Sequence, residues 1–119
     1  MKKLLSFILF VMLIVNCTSV SEDDLIDTTP IEDVITYNNQ VKPIIDNNCI
    51  HCHSMPPVNG APMPLIGYDD VKNAVLNDDL IERISSEDLG FLMPFGGPRL
   101  PQNLIDIIIQ WEIDGLLED

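Results

Sequence analysis

The sequence predicts an all-α domain of three to five short helices joined by long loops. Apolar residues recur at intervals of three and four in several short segments after residue 34, and no convincing alternating strand precedes the central cysteine pair. Because 119 residues bury only one small core, large multidomain enzymes are excluded.

The charge balance excludes a general nucleic-acid binder. Nineteen Asp and Glu residues stand against six Lys and Arg residues, for a formal net charge of −13. Such a chain repels a phosphate backbone, so no nucleic-acid partner is expected. A basic protein is the better electrostatic match.

Residues 1–16 have the layout of a signal peptide. Lys2 and Lys3 give a cationic start, and residues 4–15 form an uncharged run that is shorter than the roughly 20 apolar residues a membrane-spanning helix needs. With Cys17 next, the segment resembles a bacterial lipoprotein signal, in which the cysteine at the cleavage site is lipidated. Asn16 departs from the small residue that is usual before it.

This resemblance implies a lipid anchor on Cys17 that holds the protein at a membrane of the cell envelope, facing the periplasm or the cell surface. The alternatives are an ordinary signal peptide, which leaves Cys17 as a free thiol, and an uncleaved membrane anchor. Residues 17–33 are acidic, rich in Ser and Thr and without a clear period, which predicts a flexible tether. The folded domain is therefore expected at residues 34–119.

The first predicted helix leads directly into the cysteine pair. Thr36 or Asn38 can cap its start, and Pro43 indicates that the helix either begins close to this residue or bends there. Its apolar side chains at helical spacing are Tyr37, Val41, Ile44 and Ile45.

The motif C-x-x-C-H at residues 49–53 carries the chemistry. Two thiols one helical turn apart can reach the two vinyl groups of one porphyrin, which makes Cys49 and Cys52 candidate haem attachment sites. His53 then lies under the iron as the proximal ligand. His51, between the cysteines, is interpreted as an exposed spacer.

Three other readings of this motif stay open. A zinc site needs about four ligands, usually from two segments, and the mature chain has no second ligand pair. A thioredoxin-like pair requires a preceding strand that the sequence does not show. A plain Cys49–Cys52 disulfide leaves His53 unexplained.

Two short helices are predicted after the motif. The first is capped by Asp69 or Asp70 and extends to about Leu76, and its apolar stripe is predicted to comprise Val71, Val75 and Leu76. The second covers about residues 79–85, where the buried side chains are predicted to be Leu80, Ile81 and Ile84.

The last predicted helix is the clearest. Pro101 suits its first turn and Gly115 suits its end. Ile107 and Ile113 lie off its main apolar stripe. That stripe consists of Leu104, Ile105, Ile108, Ile109 and Trp111.

Together these parts resemble the small single-haem cytochrome c-like domains of exported bacterial lipoproteins. An aromatic residue, a Val-x-Pro-Ile core, C-x-x-C-H, a Leu-x-Leu-x-x-Tyr stretch, a Met-Pro loop and a final Trp-containing helix follow in the family's order over roughly residues 35–117. Met63 occupies the first position of the Leu-x-Leu pair, and Tyr68 matches its aromatic. The resemblance implies a cytochrome c-like fold and one covalently attached haem c.

Residues 93–100 resemble the family's Met-Pro-x-Gly-Gly-Pro-x-Leu loop, which implies that Met93 is the second axial ligand. A thioether ligand raises the reduction potential relative to a second histidine. Met63 and Met55 are rival ligands, and an open sixth position is a further alternative. Arg99 is expected to pair with a haem propionate or an exposed acid.

The resulting function is one-electron transfer, with no independent catalytic constellation, so the chain is not expected to be an enzyme. Alternatives are a haem-based ligand sensor, which needs an open sixth position, and the haem subunit of a larger surface redox enzyme. Acidic side chains flank the haem-bearing half and are expected to steer a basic redox partner: Asp69, Asp70, Asp78, Asp79, Glu87 and Asp88.

Overall fold

The computed structural model describes residues 33–119, and within them the chain forms short helices and no strand. The all-α prediction is confirmed at this level. In chain order the elements are a π-helical turn (Tyr37–Val41) that continues as helix α1 (Lys42–Asn48), then α2 (Tyr68–Asn77), α3 (Leu80–Ser85) and α4 (Gln102–Ile113).

The predicted signal peptide at residues 1–16, the lipidation site Cys17 and the tether as far as residue 32 lie outside the described residues. Within residues 33–119, none of the helices has the length and apolar character needed to cross a membrane.

Helix α1 begins at Lys42, next to Pro43, in agreement with one of the two sequence alternatives, because a residue without an amide hydrogen is tolerated in the first turn. The expected hydroxyl or amide cap is absent at the preceding turn. The Thr36 hydroxyl accepts from Asn39 Nδ2 at 2.9 Å, and the Thr36 amide donates to Gln40 Oε1 at 2.9 Å. The predicted apolar stripe is buried: Tyr37, Val41, Ile44 and Ile45.

Two predictions for helix α2 are wrong: the cap at Asp69 or Asp70, and the burial of Leu76. It begins at Tyr68 after Gly67, so the two aspartates lie inside its first turn, and Asp70 Oδ2 accepts from the amide of Ile66 at 3.3 Å. Leu76 is 57% exposed, whereas Ala74 is fully buried. The reason is geometric, because residues three and four after Val71 share its buried face and a residue five after it does not.

The buried apolar side chains of helices α3 and α4 have the predicted spacing. In α3, Leu80 and Ile84 are buried, and Ile81 is partly buried against the core. Helix α4 starts after Pro101, and the chain turns at Gly115 with φ of +95°, a conformation that favours glycine. The buried α4 side chains are Ile105, Ile108 and Trp111.

Three aromatic side chains, here called the aromatic core, join the start of the domain to its end. The ring centroids of Tyr37, Tyr68 and Trp111 lie 5.7, 5.9 and 6.3 Å apart in their three pairs. Trp111 Nε1 and the Tyr37 amide both donate to the Leu117 carbonyl, at 2.7 and 2.9 Å. The Tyr68 hydroxyl donates to the Leu116 carbonyl at 2.8 Å. These bonds hold the segment before α1 against the end of α4.

Candidate functional site: a cavity beside the cysteine motif

A cavity of about 520 Å³ lies between the loop that follows α1, helix α3 and the loop that precedes α4. This volume is within the range of roughly 300–1,000 Å³ that is typical of cofactor and ligand sites. The lining side chains with relevant chemistry are Cys49, Cys52, His53, Met63, Arg83 and Met93. The structure therefore brings the predicted attachment and axial residues to the wall of one cavity.

The cysteine motif continues the helical path of α1. The amide of Cys49 donates to the Ile45 carbonyl at 2.8 Å, and the amides of Cys52 and His53 both donate to the Cys49 carbonyl, at 3.1 and 2.9 Å. One turn of backbone thus places both thiols and the imidazole on the same cavity wall. His51 is exposed, in agreement with its interpretation as a spacer, and it also lines the cavity.

The two cysteines are free thiols. Burial raises the pKa of the Cys49 thiol to about 11, so this group is neutral at pH 7. Asn59 Nδ2 lies 3.6 Å from Cys52 Sγ. A neutral, buried thiol is a weak nucleophile and a poor metal ligand.

The His53 ring has a defined tautomer. Its Nδ1 lies 2.8 Å from the Met63 carbonyl oxygen, and a carbonyl only accepts, so Nδ1 carries the hydrogen. The lone pair of the neutral ring is then on Nε2, which is the arrangement that metal-binding histidines use. The sequence did not reveal this contact, because it depends on the route of the loop between residues 53 and 63.

Met93 is held to helix α3 through its backbone. Its amide donates to the Arg83 carbonyl at 3.0 Å, and the side chain is partly buried at the cavity. Of its two rivals, Met63 also lines the cavity, whereas Met55 is 66% exposed and is absent from the lining.

Arg83 is a site residue that the sequence analysis missed. It lines the cavity, and its guanidinium carbon lies 4.4 Å from the centre of the Phe91 ring. Arg99 is not among the lining residues and donates to the Ser85 carbonyl at 3.1 Å and to Gln102 Oε1 at 2.8 Å. Helical spacing contained a usable signal, since Arg83 is three residues after the buried Leu80.

Residues 33–119 contain no group of three or more His, Cys, Asp and Glu side chains arranged to hold a metal ion. A closed tetrahedral zinc site requires about four such ligands. The zinc reading of the cysteine motif therefore has no support within this part of the chain.

Comparison of the chain with models of protein families, with curated proteins and with solved structures gave no match. The residue chemistry and the cavity geometry therefore carry the functional proposal.

Proposed function

We propose that this protein is a c-type cytochrome that transfers single electrons at the cell envelope. Cys49 and Cys52 would hold one haem through thioether links, and His53 and Met93 would supply the two ligands of its iron. The observation that carries the proposal is that a single cavity is lined by all four side chains, with His53 Nδ1 bonded to the Met63 carbonyl.

The residues at the cavity fit the proposed cofactor. The volume is that of a cofactor site, and imidazole nitrogen with thioether sulfur is a donor pair that low-spin haem iron accepts. Haem also bears carboxylate side groups, and Arg83 supplies a cation at the cavity wall for them. When bound, haem supplies a one-electron couple whose potential is raised by histidine and methionine ligation.

The protein orients and shields this centre. The Met63 carbonyl accepts a hydrogen bond from His53 Nδ1, which fixes the rotation of the ring and leaves Nε2 as the nitrogen that would bind iron. The buried side chains of Leu65, Leu80 and Ile84 form an apolar part of the cavity wall, which keeps water away from the site. No proton has to be moved by a side chain in this function.

Met93 is proposed as the second iron ligand rather than Met63. The Met63 carbonyl accepts a hydrogen bond from His53 Nδ1, so Met63 already contributes to holding the first ligand. Met93 lines the cavity from a separate loop that is anchored on α3.

The proposal is tested by intact mass on protein produced with a cytochrome c maturation system. We expect a mass increase of one haem that survives denaturation. The double variant Cys49→Ser/Cys52→Ser loses this increase, whereas Cys17→Ser, which removes the third cysteine of the chain, retains it. Native protein without covalent haem contradicts the proposal and returns the two cysteines to dithiol chemistry.

Attachment to a membrane through a lipid on Cys17 completes the proposal. It rests on the signal layout of residues 1–16 and on the cysteine that follows. Mass spectrometry of the mature N-terminus is expected to find a lipidated Cys17, and Cys17→Ala is expected to leave the membrane fraction. An unmodified N-terminus at another residue contradicts this part.

A further inference from the structure

Asn59 and Gly60 form an exposed turn at the cavity. The amide of Ala61 donates to the Val58 carbonyl at 3.0 Å, and the two residues between them have φ of +53° and +83°. Both of these central residues are exposed and line the cavity. The amide of Val58 donates to the Cys52 carbonyl at 2.9 Å. The turn is therefore attached to the cysteine motif.

The Asn59 side chain is held less firmly than most asparagine side chains of the fold. Its Nδ2 atom lies 3.6 Å from Cys52 Sγ, and sulfur is a weak acceptor. Asn103, in the first turn of α4, is partly buried, whereas Asn59 is exposed. The other asparagines of residues 33–119 each donate from Nδ2 to an oxygen at 2.6–2.9 Å: Asn38, Asn39, Asn47, Asn48, Asn73 and Asn77.

Gly60 leaves the Asn59 side chain accessible to the backbone. Glycine has no side chain to shield its amide nitrogen, and a Cβ placed at residue 60 would meet no described atom within 4 Å. In the part of the chain that the structure describes, no backbone carbonyl accepts from the Gly60 amide. Asn59 is also the only asparagine of the sequence that is followed by glycine. The nitrogen of Gly60 is therefore unhindered next to a weakly held amide group.

We propose that Asn59 is a site of spontaneous deamidation. Asparagine is one of the chemically labile residues of proteins. The Gly60 nitrogen forms a bond to the side-chain carbonyl carbon of Asn59, the bond from this carbon to Nδ2 breaks, and ammonia leaves with the proton of the Gly60 amide. Water then opens the cyclic imide at either of its carbonyl groups, which gives aspartate or isoaspartate. The reaction consumes water, releases ammonia and needs neither an oxidant nor a reductant.

The modification changes the charge of the cavity wall. The amide beside Cys52 Sγ is replaced by a carboxylate, which is ionised at pH 7. Negative charge near haem favours ferric over ferrous iron, because the ferric centre carries the larger positive charge. We therefore expect deamidation to lower the reduction potential. This effect on the potential rests on the proposed function, whereas the deamidation itself depends only on the turn.

The test is prolonged incubation of the haem-loaded protein at mildly alkaline pH. Peptide mass spectrometry follows the amide of each asparagine, and isoaspartate is detected by enzymatic methylation of its carboxyl group. We expect Asn59 to lose its amide at least several times faster than Asn47, Asn73 and Asn103, and ammonia to appear in the same molar amount. Faster loss at any of these three residues, or an Asn59 amide that persists, overturns the proposal.

Asn59→Gly is the control variant for the reaction. Glycine is compatible with the φ of +53° at this position and has no side-chain amide. The variant is therefore expected to lack the early release of ammonia. Release at the wild-type rate shows that another amide is the source and contradicts the assignment to Asn59.

Asn59→Asp reproduces the charge of the modified protein, and aspartate also tolerates positive φ. We expect its reduction potential to be lower than that of the wild type, as is the potential of the incubated wild type. Asn103→Asp is the control with the same change in net charge, and a smaller shift is expected because Asn103 is not among the lining residues. Equal shifts in the two variants, or an unchanged potential in Asn59→Asp, overturn the effect on the potential.

Failure of the proposed function is detected separately. The absorption spectrum of each sample is recorded before incubation, and missing covalent haem overturns the proposed function. Retention of the Asn59 amide in the peptide map overturns the deamidation site. The two failures are therefore seen in different measurements.

Discussion

The aromatic core and the cavity are held in place by different interactions. Tyr37, Tyr68 and Trp111 contact one another, and hydrogen bonds to the carbonyls of residues 116 and 117 close the cluster. The cavity walls are mostly loops, in which Asn59, Gly60, Gly96 and Gly97 adopt positive φ. Side-chain packing therefore supports the aromatic core, whereas the cavity depends on turns and, in the proposed cytochrome, on the haem.

Removal of haem is expected to have the largest effect on the stability of the cavity relative to the aromatic core. A domain of this size has a marginal core without an additional link between its segments. We therefore expect the chain produced without the maturation system to be largely unfolded, with neither a near-ultraviolet circular dichroism signal nor a cooperative melt. A haem-free form that melts cooperatively at high temperature contradicts this expectation.

Alkylation of Cys49 reports on the same haem-free sample. In the fold, burial holds the pKa of this thiol at about 11, so iodoacetamide labelling is slow at pH 7 and accelerates as the pH rises towards 11. In an unfolded chain the pKa returns to its ordinary value, and labelling at pH 7 is faster. Slow labelling of haem-free protein indicates that the cavity wall persists without haem.

Trp111→Ala breaks the aromatic core directly. Trp111 is fully buried, and truncation of a buried tryptophan costs about 3–5 kcal/mol in the free energy of unfolding. Denaturant unfolding of the haem-loaded protein measures this cost. Ile113→Ala, at a neighbouring exposed position on α4, is expected to change stability by less than about 0.5 kcal/mol. Equal costs contradict the assigned importance of the aromatic core.

Arg83→Gln tests the loop that carries Met93. The substitution removes the stacking of the guanidinium on Phe91, an interaction worth about 0.5–2 kcal/mol, and leaves the backbone bond to Met93 in place. We expect sulfur ligation to be lost at a lower temperature and the reduction potential to fall, because a positive charge at the cavity is removed. Arg99→Gln is the control. If it changes the temperature of ligand loss and the reduction potential as much as Arg83→Gln does, Arg83 has no special role.

Tyr37→Phe gives the smallest expected effect, confined to alkaline pH. Burial raises the pKa of Tyr37 above its ordinary value of 10.0. The unfolded tyrosine therefore loses its proton at lower pH than the folded one. The contribution of Tyr37 to stability is constant below pH 10 and decreases as the pH rises through the folded pKa. Unfolding at pH 8 and above pH 10 is expected to show a shallower alkaline loss in the variant. An equally steep loss of stability at alkaline pH in Tyr37→Phe contradicts the burial of Tyr37 as its cause.

Helical periodicity predicted much of the fold. The buried side chains of α1, α3 and α4 follow intervals of three and four residues, and Pro43 and Pro101 mark helix starts. The errors have local causes. Leu76 is more hydrophobic than Ala74, but its position on α2 faces away from the core. The Thr36 hydroxyl accepts from the Asn39 side chain and from no backbone amide of the turn, so it forms no cap.

The candidate site likewise has one part that the sequence predicts and one part that it does not. Cys49, Cys52, His53 and Met93 are predictable because their spacing or flanking residues form a motif, and all four line the cavity. Other contributions depend on the path of the loops in three dimensions. The contact of the Met63 carbonyl with His53 and the exposed turn at Asn59 belong to this second class, because backbone turns and exposure decide them.

The proposed function requires the cavity to be a haem site with histidine and methionine ligands. The most direct test is the long-wavelength sulfur-to-iron absorption band of the oxidised protein, measured for the wild type, Met93→Ala and Met63→Ala. We expect a c-type spectrum in all three, with the band present in the wild type and in Met63→Ala and absent in Met93→Ala. A band that survives in Met93→Ala, or a protein without covalent haem, contradicts the account.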